Sequence, residues 1–208
     1  MLYWLSMGAL LLGMLMLMKV GSKKGMSIIK PVMLMALIVF LFLSQSLLAA
    51  SHLWALLGLG LYILCYCIDE FAPKHKTLQL AFFSAACLCY SLSFWVQVET
   101  LSWVVPIALF ALIVVGFLIL LPLLDTFVLK ASLVAIILWQ LLWAAGEVFR
   151  YHEIWLNFSG YLGALLLAIS VLIWAIHYFK QPFKYSYVWT MSVYFSAHIL
   201  IIAPLALK

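Results

Sequence analysis

Residues 160–204 read GYLGALLLAISVLIWAIHYFKQPFKYSYVWTMSVYFSAHILIIAP. Almost all of this stretch is apolar, and its exceptions fall in a pattern. Gly163, Ser170 and His177 are spaced by seven. Seven residues turn an α-helix through nearly two full turns, so the three share one stripe. A short basic turn follows, Lys180-Gln181-Pro182-Phe183-Lys184. Beyond it, Tyr187, Tyr194 and His198 line one face of the next helix by the same arithmetic. An imidazole deep in an apolar span is costly unless it has a partner or lines a wet cavity. The two helices therefore read as one wall of an internal polar site.

The rest of the chain has the same character. Of 208 residues, 69% are hydrophobic and 8% charged; a soluble domain carries about 25% charged residues. A soluble fold could not cover this much apolar surface, so the class is all-α integral membrane. The net charge of +5 comes from loop lysines and does not point to nucleic acid. Cys65, Cys67, Cys87 and Cys89 form two C-x-C pairs inside apolar segments. Neighbours two apart point about 200° apart on a helix, so neither pair chelates a metal locally. They read as small packing residues.

Eight segments have the length of roughly 20 residues that crosses a bilayer core. They lie near 2–20, 27–46, 52–70, 78–97, 101–122, 127–149, 155–179 and 185–206. The connections are short, so residues 1–208 are expected to form a single transmembrane helical domain. The first segment has no basic leader and no A-x-A site, and is expected to stay in the protein. With eight spans, one membrane face collects Lys19, Lys23, Lys24, Lys30, Lys74, Lys76, Lys130, Lys180 and Lys184. The other receives Arg150 and Lys208. This asymmetry puts the odd-numbered loops in the cytoplasm and both termini on the non-cytoplasmic side of an inner or plasma membrane. Trp4, Trp54, Trp95, Trp103, Trp155 and Tyr185 fall near span ends, as interfacial aromatics do.

A few polar residues fall inside the spans. Tyr62, Tyr66 and Asp69 share a face of the third. Asp69 reads either as a solvated carboxylate at the helix end or as a site acid reached from the cytoplasmic half. Gln140, Trp143 and Glu147 share a face of the sixth, and a carboxylate there must be paired, protonated or wet. Glu147 is open to a structural reading, bridging helices, and to a functional one. Lys30, just before Pro31, reads as snorkelling to the headgroups or as meeting a phosphate or carboxylate. His52, His75 and His152 fall in loops and receive no role. No H-E-x-x-H, G-x-S-x-G, phosphate-cradling glycine loop or metal-ligand cluster is present.

Several short stretches, taken in order, resemble the YhhN-like family of eight-span membrane proteins, which includes the lysoplasmalogenases. They are Lys30-Pro31, Phe82-Phe83 with Tyr90, and Ala145-Gly146-Glu147. The run from Gly160 to Ser170 with Ile176-His177-Tyr178, and Tyr194-Phe195-Ser196-Ala197-His198, complete the set. Where the family commonly has Gly-Asp late in the third span, the nearest match here is Ile68-Asp69. A family histidine of the fourth span falls near Cys87, and a family Ser-Asp of the seventh is Ser170-Val171.

The resemblance implies hydrolysis of the vinyl ether bond of a lysoplasmalogen to a fatty aldehyde and a glycerophospho-base. It implies a lysophospholipid substrate drawn from the bilayer, and no cofactor, metal or nucleic acid. Under this reading Asp69 and His177 are the catalytic candidates. Lys30, Ser170, Tyr194, Glu147 and His198 are the substrate-binding candidates. The alternative is a non-catalytic member of the same fold that binds a lipid or small solute; Val171 and Cys87 favour it.

The topology is checked by a compartment-sensitive reporter fused to each end in turn. Non-cytoplasmic signals are expected from both, and a cytoplasmic signal from either refutes the orientation.

Overall fold

The computed structural model describes residues 2–20, 23–43, 49–72, 74–124, 127–152, 155–179 and 186–207. The basic turn 180–185, with Lys180, Lys184 and Tyr185, lies outside the described residues, as does Lys208. The helices are α1 (Leu2–Val20), α2 (Lys23–Leu43), α3 (Ala50–Phe71), α4 (Lys76–Trp95), α5 (Val104–Leu124), α6 (Val128–His152), α7 (Trp155–Phe179) and α8 (Ser186–Ala206). Helices α3, α4, α6, α7 and α8 are long and apolar enough to cross a membrane. The other three carry apolar runs over Leu2–Met18, Ile28–Leu43 and Pro106–Leu118. The protein is an all-α membrane bundle.

Closed helices suit a bilayer because every backbone polar group is met within its own segment. The tightest pairs are the sequential hairpins α3–α4 and α7–α8. Helix α4 packs on α6, and α6 on α7. Helix α8 also touches α1, α2 and α3, which closes the ring. Helix α5 rests on α6 and α7.

The α7–α8 contact depends on the missing side chain of Gly163. A Cβ there would stand 2.7 Å from the Ile201 nitrogen and 2.8 Å from the Ala197 carbonyl oxygen. Gly160, one turn earlier, faces Pro204 and Phe94, with ring atoms 3.1 Å from where its Cβ would be. The two helices thus meet nearly backbone to backbone, a close approach that small residues permit.

Helix α8 is also tied by hydrogen bonds from three neighbours. Pro204 has no N–H, so the Leu200 carbonyl lacks its usual partner four residues on. Ser159 Oγ of α7 stands 3.4 Å from that oxygen. Tyr3 of α1 donates its hydroxyl to the Ile199 carbonyl at 2.5 Å. His52 Nε2 of α3 lies 2.9 Å from the Leu205 carbonyl.

His52 is therefore not a loop residue. Helix α3 begins at Ala50, and the ring is 2% exposed in its first turn. The ends of other elements also differ from hydropathy. Helix α5 starts at Val104 because Ser102 commits its N–H to Glu147 of α6 at 3.0 Å. Trp95 turns inward instead of lying among headgroups, packing edge-on against Trp143 with ring centroids 5.0 Å apart.

Gly163→Ala is expected to lower the thermal midpoint in detergent, by an overpacking cost of about 1–3 kcal/mol. Gly60, also mid-helix, has nothing within 4 Å of its Cβ position. Gly60→Ala should leave the midpoint unchanged or raise it, by up to about 1 kcal/mol from helix propensity. Equal responses of the two variants would rule out the close α7–α8 approach.

Candidate functional site

The polar side chains of the bundle sort into three levels. The middle level is built by α3, α4 and α8 around His198, which is 0% exposed. Its Nδ1 lies 3.1 Å from the Tyr90 hydroxyl. The rings of Tyr62 and Tyr194 stand edge-on to the imidazole, with centroids at 4.3 and 4.4 Å. The Tyr62 hydroxyl lies 3.0 Å from Cys87 Sγ. Among the described residues, His198 Nε2 is buried without a hydrogen-bond partner.

Local sequence explains how these groups converge. On α8, Tyr194 and His198 are one turn apart and adjoin the face of Ala197 and Ile201 that meets Gly163. The α7–α8 contact thereby sets which way the imidazole points. On α4, Cys87 and Tyr90 are three apart and share a face. Tyr90 lies flat on α3 because Gly58 leaves room: a Cβ there would be 2.8 Å from the Tyr90 ring.

The level at one end is centred on Glu147, also 0% exposed. Its Oε1 accepts from Ser102 N at 3.0 Å and from Trp143 Nε1 at 3.1 Å. Its Oε2 accepts from Arg150 Nε at 3.0 Å and pairs with Arg150 Nη2 at 3.0 Å. Arg150 reaches on to the Thr100 carbonyl oxygen and hydroxyl at 3.5 and 3.4 Å. Trp95, Trp103 and Trp139 pack around Trp143. Both carboxylate oxygens are saturated, and they clamp the segment between α4 and α5 to α6.

The opposite end holds Asp69, Lys30 and His177. Asp69 lies in the last turns of α3, 42% exposed at its side chain, with Lys76 Nζ 3.3 Å away. It stands seven residues, about 10 Å, from the level of Tyr62. Lys30 does not snorkel freely: it is 9% exposed. Its Nζ lies 5.3 Å from the ring centroids of both Tyr66 and Tyr187. His177 is half-buried near the end of α7. Along α7 it is about 20 Å from the Gly163 contact that marks the depth of His198. Ser170 lies between them, 1% exposed, and donates its hydroxyl to its own helix at the Leu167 carbonyl, 2.7 Å away.

Of the candidates from sequence, the structure thus brings together Tyr194 and His198. Asp69, Lys30 and His177 share an end of the bundle, and Glu147 stands apart from all of them. Tyr62, Tyr90 and Cys87 join the middle level without having been candidates. Their signal is the polar spacing of Cys87 and Tyr90 on one helix and of Tyr62 and Tyr66 on another. Among the described residues, no three His, Cys, Asp or Glu side chains are arranged to hold a metal ion.

Glu147→Gln removes the charge on which Arg150 and Trp143 converge. It is expected to lower stability in detergent by about 1–3 kcal/mol, the worth of hydrogen bonds to a buried charged group. Arg150→Met, at a half-exposed position, should cost less. A Glu147→Gln midpoint equal to wild type would exclude the clamp.

The model of the YhhN family matches residues 25–205. No curated protein and no solved structure matches the chain. The match covers α2 to α8 almost end to end and includes every residue of the three polar levels. The chain belongs to the YhhN family.

Proposed function

We propose that this protein hydrolyses the vinyl ether bond of a lysoplasmalogen, releasing a fatty aldehyde and a glycerophospho-base. Membership of a family that includes lysoplasmalogenases supports the reaction class. The observation that carries the site is His198: a buried imidazole at mid-depth, held at Nδ1 by Tyr90, with a buried Nε2 that has no hydrogen-bond partner among the described residues.

The reaction needs a proton delivered to carbon and later a proton removed from water. His198, neutral at rest in its buried site, takes up a proton from the aqueous end and gives it through Nε2 to the β-carbon of the enol ether, and the α-carbon becomes an oxocarbenium ion. The rings of Tyr62 and Tyr194 flank the imidazole through this step. Water adds to the oxocarbenium carbon, and the now neutral Nε2 takes its proton. The hemiacetal then collapses: its hydroxyl proton is lost, the C–O bond to glycerol breaks, and that oxygen is protonated. The sum is one water added. The Tyr90 contact holds the ring orientation through both transfers, as a second hydrogen bond does for other catalytic histidines. In this scheme Asp69, at the aqueous end, acts on the proton supply and not on the bond itself.

The non-catalytic reading has one observation in its favour. Among the described residues, every carboxylate is exposed or engaged away from His198. A binder of single-chain lipids would need no more than the apolar, aromatic-lined interior.

The test is aldehyde release from a lysoplasmalogen by purified protein. His198→Gln is expected to reduce it by about 10²–10⁴-fold, the usual worth of general acid–base catalysis. Asp69→Asn should reduce it by less. A dead Asp69→Asn with an active His198→Gln moves the acid to the end of α3. No aldehyde from wild type on either choline or ethanolamine lipids leaves the binder as the better reading.

A further inference from the structure

The end of the bundle that holds Lys30 carries an unmet charge. Lys30 is nine-tenths buried. Among the described residues no carboxylate or hydrogen-bond acceptor reaches its ammonium, and its contacts are the faces of Tyr66 and Tyr187. An ammonium has three N–H donors, and ring faces meet none of them fully. The nearest carboxylates point elsewhere: Asp69 pairs with Lys76, and Glu70 is exposed at the hydroxyl end of Tyr66, 3.4 Å from it.

Tyr66 belongs to α3 and Tyr187 to α8, so the ammonium of Lys30 lies where α2, α3 and α8 meet.

We propose that Lys30, flanked by Tyr66 and Tyr187, binds the phosphate ester of a single-chain phospholipid. The position fits that chemistry. Lys30 lies in the early turns of α2 and beside Tyr187 of α8, at the end of the bundle away from Glu147. Tyr66 is one turn, about 6 Å, from Tyr62. A phosphate at Lys30 therefore puts the first glycerol carbon, and the chain attached to it, at the level of Tyr62, Tyr194 and His198. The choice of a single-chain lipid rests on the hydrolase reading; the anion site does not.

The experiment uses the full chain in a neutral detergent and reads the thermal midpoint against added ligand. The probe is a saturated alkyl-ether lysophospholipid, which binds without being cleaved. Its partner is the same alkyl glycerol ether without phosphate, and a third arm is inorganic phosphate. The phospholipid is expected to raise the midpoint and the glycerol ether is not. Lys30→Met should weaken the phospholipid response at least about tenfold, as loss of a charge-assisted pair does, while Lys30→Arg retains it. Tyr187→Leu should weaken it less. A Lys30-dependent response to inorganic phosphate supports the anion site and assigns it to free phosphate instead of a lipid. Equal responses to phospholipid and glycerol ether, or an unchanged Lys30→Met, overturn the proposal.

Without ligand, Lys30→Met should melt no lower than wild type, because no acceptor among the described residues depends on the ammonium. A variant that melts lower or fails to fold marks the ammonium as structural, and also overturns it. Binding is read here apart from turnover. Lys30-dependent binding with no aldehyde from a vinyl ether lipid keeps the site and removes the hydrolase. Aldehyde release that is indifferent to Lys30 does the reverse.

Discussion

The backbone of α8 is the constraint to which the other elements answer. A carbonyl left unmet in hydrocarbon costs several kcal/mol, and Pro204 leaves one at Leu200. Ser159 approaches it at 3.4 Å while donating chiefly to the Leu156 carbonyl of its own helix at 2.6 Å, and Tyr3 and His52 add donors to α8. These ties come from α7, α1 and α3, so one helix holds three others by its own main chain. The absence of a side chain at Gly163 does the rest, because it lets α7 approach closely enough for Ser159 to reach. With α8 held on these sides, the rotation of Tyr194 and His198 about its axis is no longer free. The polar centre is a consequence of that rotation.

The two ends of the bundle are electrostatic opposites. At the Glu147 end, a carboxylate with no exposed surface has donors on both oxygens. Nothing there calls for a ligand, and four tryptophans pack around it. At the Lys30 end, aromatic faces only partly answer a cation. A molecule with an anionic head and an apolar tail finds its head bound at one end of this gradient and its tail accommodated along the rest. Saturated polar groups rigidify a scaffold and unsaturated ones are where it is available to a partner.

The architecture was legible in the chain because a bilayer imposes it. Each apolar run had the length of a span, and the eight helices sit within a few residues of those runs. Periodicity also placed Tyr194 and His198 on one inward face. It could not say which helices are neighbours, and the centre is made of neighbours distant in sequence. Cys87 stood out only as a departure from the family, whereas in space it lies on the Tyr62 hydroxyl. His52 was hidden by its place at a helix start, where hydropathy cannot separate the first buried turn from the loop before it. Glu147 left two readings open because its role depends on Ser102, 45 residues away, and no local pattern encodes that contact.

The wide spacing of these contacts bears on how the protein is made. The Tyr3–Ile199 bond spans 196 residues and the Tyr90–His198 contact spans 108. During translation α1 precedes α8, and its tyrosine hydroxyl waits for a partner made 196 residues later. The α3–α4 pair can form while the ribosome is still working on α5. The imidazole that completes the centre arrives only with α8. A nascent chain that has not yet added α8 therefore has no polar centre, and Tyr3 and His52 still lack the carbonyls that they meet in the bundle.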